Sequence, residues 1–410
     1  MKERKPLLQA PFRFSLTLII VIVYLKCNAW EVFLSIYRVA ESWEEAQFHD
    51  RPNRFTLILK SGRKTVGAYL PNTGRLEEYL VEGSPFFIVP YTSDKFRYRA
   101  VSTFYQDNYV LIDTIRMNHL VSTLMAGRFL PGLNDCIRVT REKSVGNSRF
   151  DFLVERNGPP PLIIEVKTCT LAHNGVAMFP DAPTRRALSH VEHMSALTTN
   201  GFEAAMFFII PNAATRRFTP NLHTDPDFCQ RMIDEQEVTF RAFTLRLIDP
   251  VAVELHSLRE IPIDLDYTRR NIGDRGSYML VLENSRDRKI EVASLGARLF
   301  RKGYYVYVGS GLKSLSARVN RHAQAQKKKR WHIDYITPDH FRLRKVYIIR
   351  RTDRIESSIA GRLRSIAQAE VAGFGASDSS APSHLFHFNT PPFRSGPFID
   401  LLLDFRTGTE

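Results

Sequence analysis

The sequence has few cysteines, and none of them lies close to another along the chain. Its four cysteines lie far apart, with no CxxC spacing and no cluster with histidine, which argues against a disulfide scaffold or a structural zinc site. Scattered reduced thiols are typical of a cytoplasmic enzyme. The hydrophobic share of 44% and the charged share of 24% exclude wholesale disorder and a collagen-like chain. The four cysteines are Cys27, Cys136, Cys169 and Cys229.

Acidic residues are scarce in the last third of the 410-residue chain. Residues 267–410 hold 26 basic and 13 acidic side chains, whereas residues 1–266 hold 31 and 30. Almost all of the formal net charge of +14 therefore lies in the carboxy-terminal third. Such an asymmetry predicts a polyanionic partner, either nucleic acid or an anionic membrane surface.

Long hydrophobic runs are also absent. The apolar stretch 14–25 is shorter than the roughly 20 residues that a membrane span needs. A basic start before it and a small residue after it resemble a signal peptide. An extension from a misplaced start, an extra strand of the first domain, a membrane anchor and an export signal all remain open. Residues 1–30 are thus an apolar leader of uncertain status.

Short strand patterns, rich in β-branched and aromatic residues, predict a small β-barrel of the OB type over residues 31–113. The predicted strands are 54–60, 65–70, 86–91, 96–105 and 108–115. A helix is predicted from near Asn118 to Gly127. The fold class is therefore β followed by α/β, in several domains.

Two α/β domains are predicted after the barrel, because strand and helix patterns alternate there. The first, 114–266, has strands at 148–155, 161–171 and 204–211 and helices at 183–197 and 225–237. The second, 273–390, has strands at 276–285, 301–310 and 341–353 and helices at 312–330 and 354–370. Residues 391–410 are predicted to be a loose tail that contains one short apolar segment, IDLLLDF.

Asp151, Glu165 and Lys167 form the first group of residues that points to chemistry. Side chains alternate along a strand, so Glu165 and Lys167 share a face. The intervening turn 157–161 folds the two strands into a hairpin, which brings Asp151 beside them. Two carboxylates suit Mg²⁺ or Mn²⁺, and a neighbouring lysine can orient the attacking water. The alternative is a solvated strand face with an ion pair.

The segments around this group resemble the sugar fermentation stimulation protein family over residues 50–265. The resemblance rests on RPNRF, PNTGRL, SRFDFLVE, IIEVKTCTL and FPDAPTRR, in collinear order. It implies an OB-like domain, a PD-(D/E)xK nuclease-like domain, DNA binding, and Asp151, Glu165 and Lys167 as the nuclease triad. Asp151 and Glu165 would then be the metal ligands. Thr123 stands where the family commonly has a glutamate, and Ser189 where it has a lysine.

Five basic residues of this region are candidate DNA contacts. Arg185, Arg186 and His190 lie on one predicted helix and could hold the strand to be cut. Arg54 and Arg75 flank turns of the barrel and could contact phosphates. An ordinary basic helix face and solvated loops are the alternatives.

The order of Tyr278, Tyr307, Arg318 and Glu356 resembles a GIY-YIG nuclease domain over residues 273–390. The resemblance implies Glu356 as the single metal ligand, the two tyrosines beside the attacking water, and Arg318 as a clamp on the phosphate. Further matches are to a stand-alone branch often found beside DNA-repair domains. The candidates for acid–base chemistry are His322, His332 and His384.

A run of cations without an acid supports a nucleic-acid partner independently. Such a run repels itself unless a polyanion screens it, and phosphate neutralisation gives salt-dependent affinity without sequence preference. The alternative is a solvated basic face. The run contains Lys313, Arg318, Arg321, Lys327, Lys328, Lys329 and Arg330.

The sequence thus predicts a cytoplasmic, nucleoid-associated DNA-binding protein with endonuclease activity that depends on Mg²⁺ or Mn²⁺. One alternative is a non-catalytic DNA-binding or regulatory protein with degenerate nuclease folds. Another is a nucleic-acid binder tethered to a membrane through residues 14–25. No helix-turn-helix pattern is seen, so a sequence-specific operator is not implied.

Overall fold

The structure is a computed structural model that describes residues 35–146, 148–324, 326–376 and 381–410. The predicted apolar leader lies outside the described residues. Residues 36–410 form one compact unit. Within the part of the chain that the structure describes, no helix has the length and apolar character needed to cross a membrane.

The first seven strands include a closed barrel. They are β1 (Ile36–Arg38), β2 (Glu44–Asn53), β3 (Thr56–Ser61), β4 (Lys64–Tyr69), β5 (Pro85–Pro90), β6 (Tyr98–Tyr105) and β7 (Asn108–Leu111). Strands β4, β3, β2, β5 and β6 are neighbours in that order, and β6 pairs back onto β4 to close the ring. The predicted OB-like barrel is confirmed. Strand β2 was not predicted, and β1 pairs outside the barrel.

The central domain is built on a seven-stranded sheet with helices on both faces. The sheet order is β1-β16-β15-β13-β10-β9-β8, in which β10, β13 and β15 run parallel. Helix α1 packs on one face, and α2 and α3 pack on the other. The helices are α1 (Thr114–Ala126), α2 (Arg185–Thr198), α3 (Pro226–Asp234) and α4 (Leu265–Asn271). The strands are β8 (Cys136–Val145), β9 (Ser148–Arg156), β10 (Leu162–Thr168), β11 (Ala172–His173), β12 (Val176–Phe179), β13 (Glu203–Ile210), β14 (Arg217–Pro220), β15 (Val238–Asp249) and β16 (Ala252–Ile261).

Helix α1 begins at Thr114, four residues before its predicted start near Asn118. Its cap is Asp113, whose side chain accepts hydrogen bonds from the first free backbone N–H groups of the helix. The same carboxylate binds Arg99 of β6 through two hydrogen bonds of 2.5 and 2.6 Å. The helix start is therefore fixed by the barrel, and this determines which face of α1 lies over β9 and β10.

The carboxy-terminal domain has a five-stranded antiparallel sheet in the order β21-β17-β20-β23-β22. One face packs against α6 and α7, and the other holds Tyr278, Tyr307 and the start of α5. The strands are β17 (Gly276–Asn284), β18 (Arg288–Glu291), β19 (Ala297–Phe300), β20 (Gly303–Gly311), β21 (Arg342–Arg350), β22 (Ala369–Glu370) and β23 (Leu385–Phe388). The helices are α5 (Leu315–Ala323), α6 (Glu356–Ile366) and α7 (Gly396–Thr407).

The predicted helix over 312–330 is too long, because α5 ends at Ala323. The reason is Asp334, a fully buried acid that accepts hydrogen bonds from the backbone N–H groups of Arg330 and Trp331. Its oxygens also lie 3.0 and 2.9 Å from the guanidinium nitrogens of Arg321. These bonds tie the end of the basic run to the helix that precedes it.

The predicted loose tail at 391–410 is wrong. It contains α7, whose apolar side chains are buried on every side, as expected of a helix that is hydrophobic all round. Helix α7 packs between the carboxy-terminal sheet and Val176 and Met178 of β12. Its Asp404 lies 2.7 Å from Nε2 of His173, and its Arg406 carbonyl accepts a hydrogen bond from Tyr267. The helix therefore joins the carboxy-terminal domain to the central domain.

A buried acid lies where the barrel meets the central domain. Glu78 is 4% exposed, and its Oε1 has no hydrogen-bond partner among the residues that the structure describes. Burial, with repulsion from Asp181 and Glu77, raises the pKa of Glu78 to about 8. The carboxyl group is thus mainly neutral at pH 7 in the folded protein.

This shift predicts a pH-dependent stability that Glu78→Gln removes. The folded-state pKa is above the unfolded value of 4.5, so its contribution is full below that value and is lost as the pH rises to about 8. The slope is up to about 1.4 kcal/mol of unfolding free energy per pH unit. Urea unfolding across this range should give a flatter profile for Glu78→Gln. The exposed Glu82→Gln is the matched control, and an unchanged slope in Glu78→Gln would refute the prediction.

Candidate active sites

The carboxylate site, named here for Asp151, Glu165 and Lys167, lies where β9 and β10 run side by side. Their pairing places Phe152 opposite Ile164, so the next residues, Asp151 and Glu165, are neighbours. Asp151 accepts a hydrogen bond of 2.8 Å from the backbone N–H of Val166. Lys167 Nζ donates to Glu165 Oε1 at 2.5 Å. The structure thus brings the three predicted side chains together.

Two further side chains complete the carboxylate site. Asn118 of α1 donates a hydrogen bond of 3.0 Å to Asp151. His190 of α2 lies 2.6 Å, through Nδ1, from Glu165 Oε1. Arg186 donates to the other ring nitrogen of His190 at 3.5 Å. His190, predicted as a DNA contact, therefore contacts the glutamate directly.

Burial and charge move the pKa values of the two acids in opposite directions. Burial, with repulsion from Glu165, raises the pKa of Asp151 to about 6. Burial alone would also raise the pKa of Glu165, but the hydrogen bond from His190 and the charge of Lys167 outweigh it and lower that pKa. Glu165 is therefore the permanent anion of the pair, and Asp151 is the acid that a nearby cation would ionise fully.

The carboxylate site opens into a cleft of about 480 Å³. The barrel turn 72–74, helix α1 and strand β10 form its walls, and Arg186 lies at its edge. Arg185 is exposed and is not part of the wall. Arg54 and Arg75 are also exposed and line a second cavity that adjoins this cleft. The barrel and the central domain thus shape the site jointly.

The donor set suits a hard divalent cation. Two carboxylates, with water and a phosphate oxygen, are what Mg²⁺ usually binds. No group of three or more His, Cys, Asp and Glu residues is arranged for a metal within the described parts of the chain. Burial and the charge of Glu165 raise the pKa of Asp151, and a cation bound beside it would oppose both effects. Asp151 and Glu165 therefore fit a two-carboxylate site.

Asn118 was not identified from the sequence, whereas Thr123 was singled out on the same helix. Thr123 Oγ1 donates to the carbonyl of His119 within α1, and it is not part of the cleft wall. Asn118 and His119 are part of that wall. A signal was present in the sequence, because Asp113 is a good helix cap. A helix that begins at Thr114 has Asn118 and His119 one turn after its start.

The tyrosine site is named here for Tyr278, Tyr307, Arg318, His322 and Glu356. Its two tyrosines lie on the face of the carboxy-terminal sheet away from α7, and Glu356, at the start of α6, is close enough for its charge to act on Tyr307. The hydroxyl of Tyr278 is 2.7 Å from Nε2 of His322. The rings of Tyr278 and Tyr307 are 6.4 Å apart. The Arg318 guanidinium stacks on Trp331 at 4.4 Å.

Glu356 is held beside the other residues of the tyrosine site. Its Oε1 lies 3.1 Å from Nδ1 of His384. Burial would raise the pKa of Glu356, but hydrogen bonds from His384 and Ser310 and the charge of Arg318 lower it. Ser310, which follows the YVG segment directly, was not predicted. Glu356 is therefore ionised and is the acidic group of this site.

The pKa values of the neutral groups of the tyrosine site are strongly shifted. Burial, with the charge of Lys327, lowers the pKa of His322 to about 4. Burial raises the pKa of Tyr278 to about 12, although Arg318 opposes this. His332, the third predicted acid–base candidate, accepts a hydrogen bond from the backbone N–H of Gly375. At neutral pH, His322 is an uncharged ring that shares a hydrogen bond with the phenol of Tyr278.

Gly309 makes the space that Tyr278 occupies. A Cβ atom at this position would lie 2.3 Å from the Tyr278 hydroxyl. We expect Gly309→Ala to lower the unfolding free energy by about 1–3 kcal/mol, because the phenol must move from its place beside His322. Urea unfolding measures this change. The control is Gly361→Ala in α6, where nothing lies within 4 Å, and which should stabilise by up to about 1 kcal/mol. Equal losses in both would contradict the prediction.

The basic run divides into internal and exposed cations. Arg321 pairs with Asp334, and Lys327 Nζ donates to the carbonyl of His322 at 3.2 Å. These two cations are therefore part of the local structure. The exposed members of the run are Lys313, Lys328, Lys329 and Arg330.

Comparisons with known proteins cover all three domains. Residues 50–112 match the family described as the SfsA N-terminal OB domain, and residues 115–248 match the sugar fermentation stimulation protein RE domain. Residues 277–398 match a domain of unknown function, DUF123. The predicted order of an OB-like barrel, a nuclease-like domain of this family and a GIY-YIG-like domain is confirmed.

Individual relatives cover the first half of the architecture. The sugar fermentation stimulation protein homolog of Moorella thermoacetica is 36% identical over 217 residues, which are 52% of this chain and 93% of that protein. The homolog of Clostridium botulinum strain Loch Maree is 31% identical over 229 residues, which are 53% of this chain and all of that protein. Among solved structures, Pyrococcus furiosus SfsA in complex with Ca²⁺ matches with a TM-score of 0.50 and 25% identity, over 55% of this chain and 97% of that one.

Proposed function

The chain belongs to the sugar fermentation stimulation protein family, and from this premise we propose that it binds DNA and hydrolyses phosphodiester bonds with the help of a divalent metal ion. The observation that carries the proposal is the convergence of Asp151, Glu165 and Lys167 in one cleft. Two acids and a lysine on two adjacent strands are costly to bury without a function. The solved structure of the Pyrococcus furiosus relative in complex with Ca²⁺ supports a cation, since Ca²⁺ also takes oxygen ligands.

In this proposal, the residues of the carboxylate site have distinct roles. Mg²⁺ or Mn²⁺, held by Asp151 and Glu165, would lower the pKa of a bound water and offset charge on the phosphate. Lys167 orients the attacking water and stabilises the developing negative charge. Asn118 holds the Asp151 carboxylate through its hydrogen bond of 3.0 Å. His190 holds Glu165 in place through their contact of 2.6 Å. Arg186 contacts His190 in turn, at the edge of the cleft.

The tyrosine site has a complementary set of groups for the same reaction. Glu356 would hold one divalent ion, and Arg318 would bind the phosphate. The neutral ring of His322 contacts the phenol of Tyr278 at 2.7 Å and would hold it in position beside the attacking water. This site lies on the sheet face opposite α7, and in this proposal the two sites act on different phosphodiester bonds.

A cleavage assay tests the proposal. Full-length protein is incubated with labelled single-stranded, double-stranded and branched DNA in Mg²⁺ or Mn²⁺, and in EDTA. Metal-dependent products from at least one substrate are expected. Binding with no cleavage in any metal would instead support a non-catalytic DNA-binding protein, for which Thr123 in place of the family's glutamate is the specific observation.

A further inference from the structure

The cleft of the carboxylate site continues into a larger groove. The adjoining cavity has a volume of about 720 Å³. Both cavities have Thr73, Gly74, Phe179 and Asp181 in their walls. The larger one is lined by the barrel, by the segment 179–184 of the central domain and by the carboxy-terminal domain. A path therefore leads from Glu165 past the barrel to the third domain.

Arg51 organises the barrel wall of this groove. Its guanidinium donates to the carbonyls of Gly74 and Arg75 at 2.7 and 2.8 Å. It also donates to the carbonyl of Arg54 at 3.0 Å. One half-buried side chain thus ties together the two turns that carry Arg54 and Arg75. The side chains of Arg54 and Arg75 are exposed, and neither forms an ion pair with any residue that the structure describes. Both residues line the groove, and the charge of Arg75 also acts on Asp181 in the same wall.

The carboxy-terminal domain supplies the opposite wall. Lys345 Nζ lies 2.6 Å from Glu77 and 4.8 Å from the ring centre of Phe393. Arg394 pairs with Asp50 of the barrel. Phe393 is half-buried and lines the groove between these two cations. Both cations are already paired with acids of the barrel, so this wall offers the half-buried ring of Phe393 as a platform on which a nucleobase can stack.

The size of the groove selects the kind of nucleic acid. A volume of about 720 Å³ is within the range of about 300–1,000 Å³ that encloses one small ligand. The groove can therefore enclose a short stretch of one strand, and it cannot enclose a duplex.

We propose that this groove guides a single strand of DNA to the carboxylate site and that Phe393 and Arg394 of the carboxy-terminal domain complete its path. The inference rests on the proposed function and names its substrate class: a strand that is single near the point of cleavage. A barrel of the OB type binds single strands through a basic groove with aromatic platforms. Here the third domain adds the second wall.

Binding of a labelled thymidine oligonucleotide to the full-length chain tests the path. Fluorescence anisotropy in EDTA separates binding from cleavage. For the Arg54→Ala, Arg75→Ala double variant we expect affinity to fall about 10-fold. The slope of log K against log salt should shrink by about 1.4, since each phosphate contact to a single strand contributes about 0.7. Phe393→Ala should weaken binding about 5-fold or more, through lost stacking, with a smaller change in salt slope.

The controls distinguish the path from the nuclease proposal. Arg270→Ala removes an exposed arginine of α4 outside the groove and should leave affinity unchanged. Equal affinity of Phe393→Ala and wild type would overturn the role of the third domain. Preference for a blunt duplex over the single strand would overturn the path, even if cleavage is observed. Loss of binding in both groove variants without any cleavage by the wild type would support the path and refute the proposed function.

Discussion

In the Glu165→Ala, Glu356→Ala double variant, metal-dependent cleavage of DNA is expected to fall by about 1,000-fold or more. Each glutamate is the ionised acid of its site, as the lowered pKa values of both show. Losing the group that places a cation at the phosphate removes the electrostatic stabilisation on which this chemistry depends. Affinity for DNA should stay level or rise slightly, because a negative charge is removed beside the phosphates.

The single variants assign the substrates to the sites. Glu165→Ala should abolish cleavage at the carboxylate site, which depends on the groove. Glu356→Ala should abolish cleavage at the tyrosine site. Calorimetric titration with Mn²⁺ should show one binding event fewer in each single variant, which is a readout independent of activity. Glu192→Ala, an exposed acid on α2, is the matched control. Cleavage by the double variant at the rate of the wild type would refute both sites.

Leu402→Ala is expected to lower the unfolding free energy by about 2–5 kcal/mol, the usual cost of a buried leucine deletion. Leu402 is 1% exposed and belongs to α7, which packs between the carboxy-terminal sheet and β12. The loss should appear in urea unfolding. The matched control is Leu299→Ala, whose side chain is 56% exposed and whose loss should change the free energy by at most about 0.5 kcal/mol. Equal values would show that α7 does not contribute to the core.

The carboxylate site could be predicted from the sequence because its geometry is local. Glu165 and Lys167 are two residues apart on one strand, and the turn between β9 and β10 returns the chain directly beside them. The register that sets Phe152 opposite Ile164 follows from the apolar pattern of both strands. The nearness of Asp151 to Glu165 therefore needs no knowledge of the rest of the fold.

The parts that were missed depend on distant residues. Asn118 reaches Asp151 from α1, whose cap Asp113 is readable in the sequence but whose contact with Arg99 of the barrel is not. Asp334 compensates charges of the basic run but lies after its last member, Arg330. A count of charges within the run therefore does not include it. Helix α7 was not predicted, because a proline such as Pro397 usually indicates a break in a helix. In this chain it lies in the first turn of the helix, where a missing N–H costs nothing.

The pairing of β1 with β16 has a consequence for how the chain is made. Ile36 lies opposite Glu254, so translation at about 5–20 residues per second separates the appearance of the two strands by roughly 10–40 s. The barrel, whose strands are close in sequence, can form during that interval, whereas β1 must wait beside it. Until β16 leaves the ribosome, the nascent sheet has an open edge, which is a template for pairing with another chain. Aggregation during synthesis should therefore be most frequent in chains that stall before residue 252.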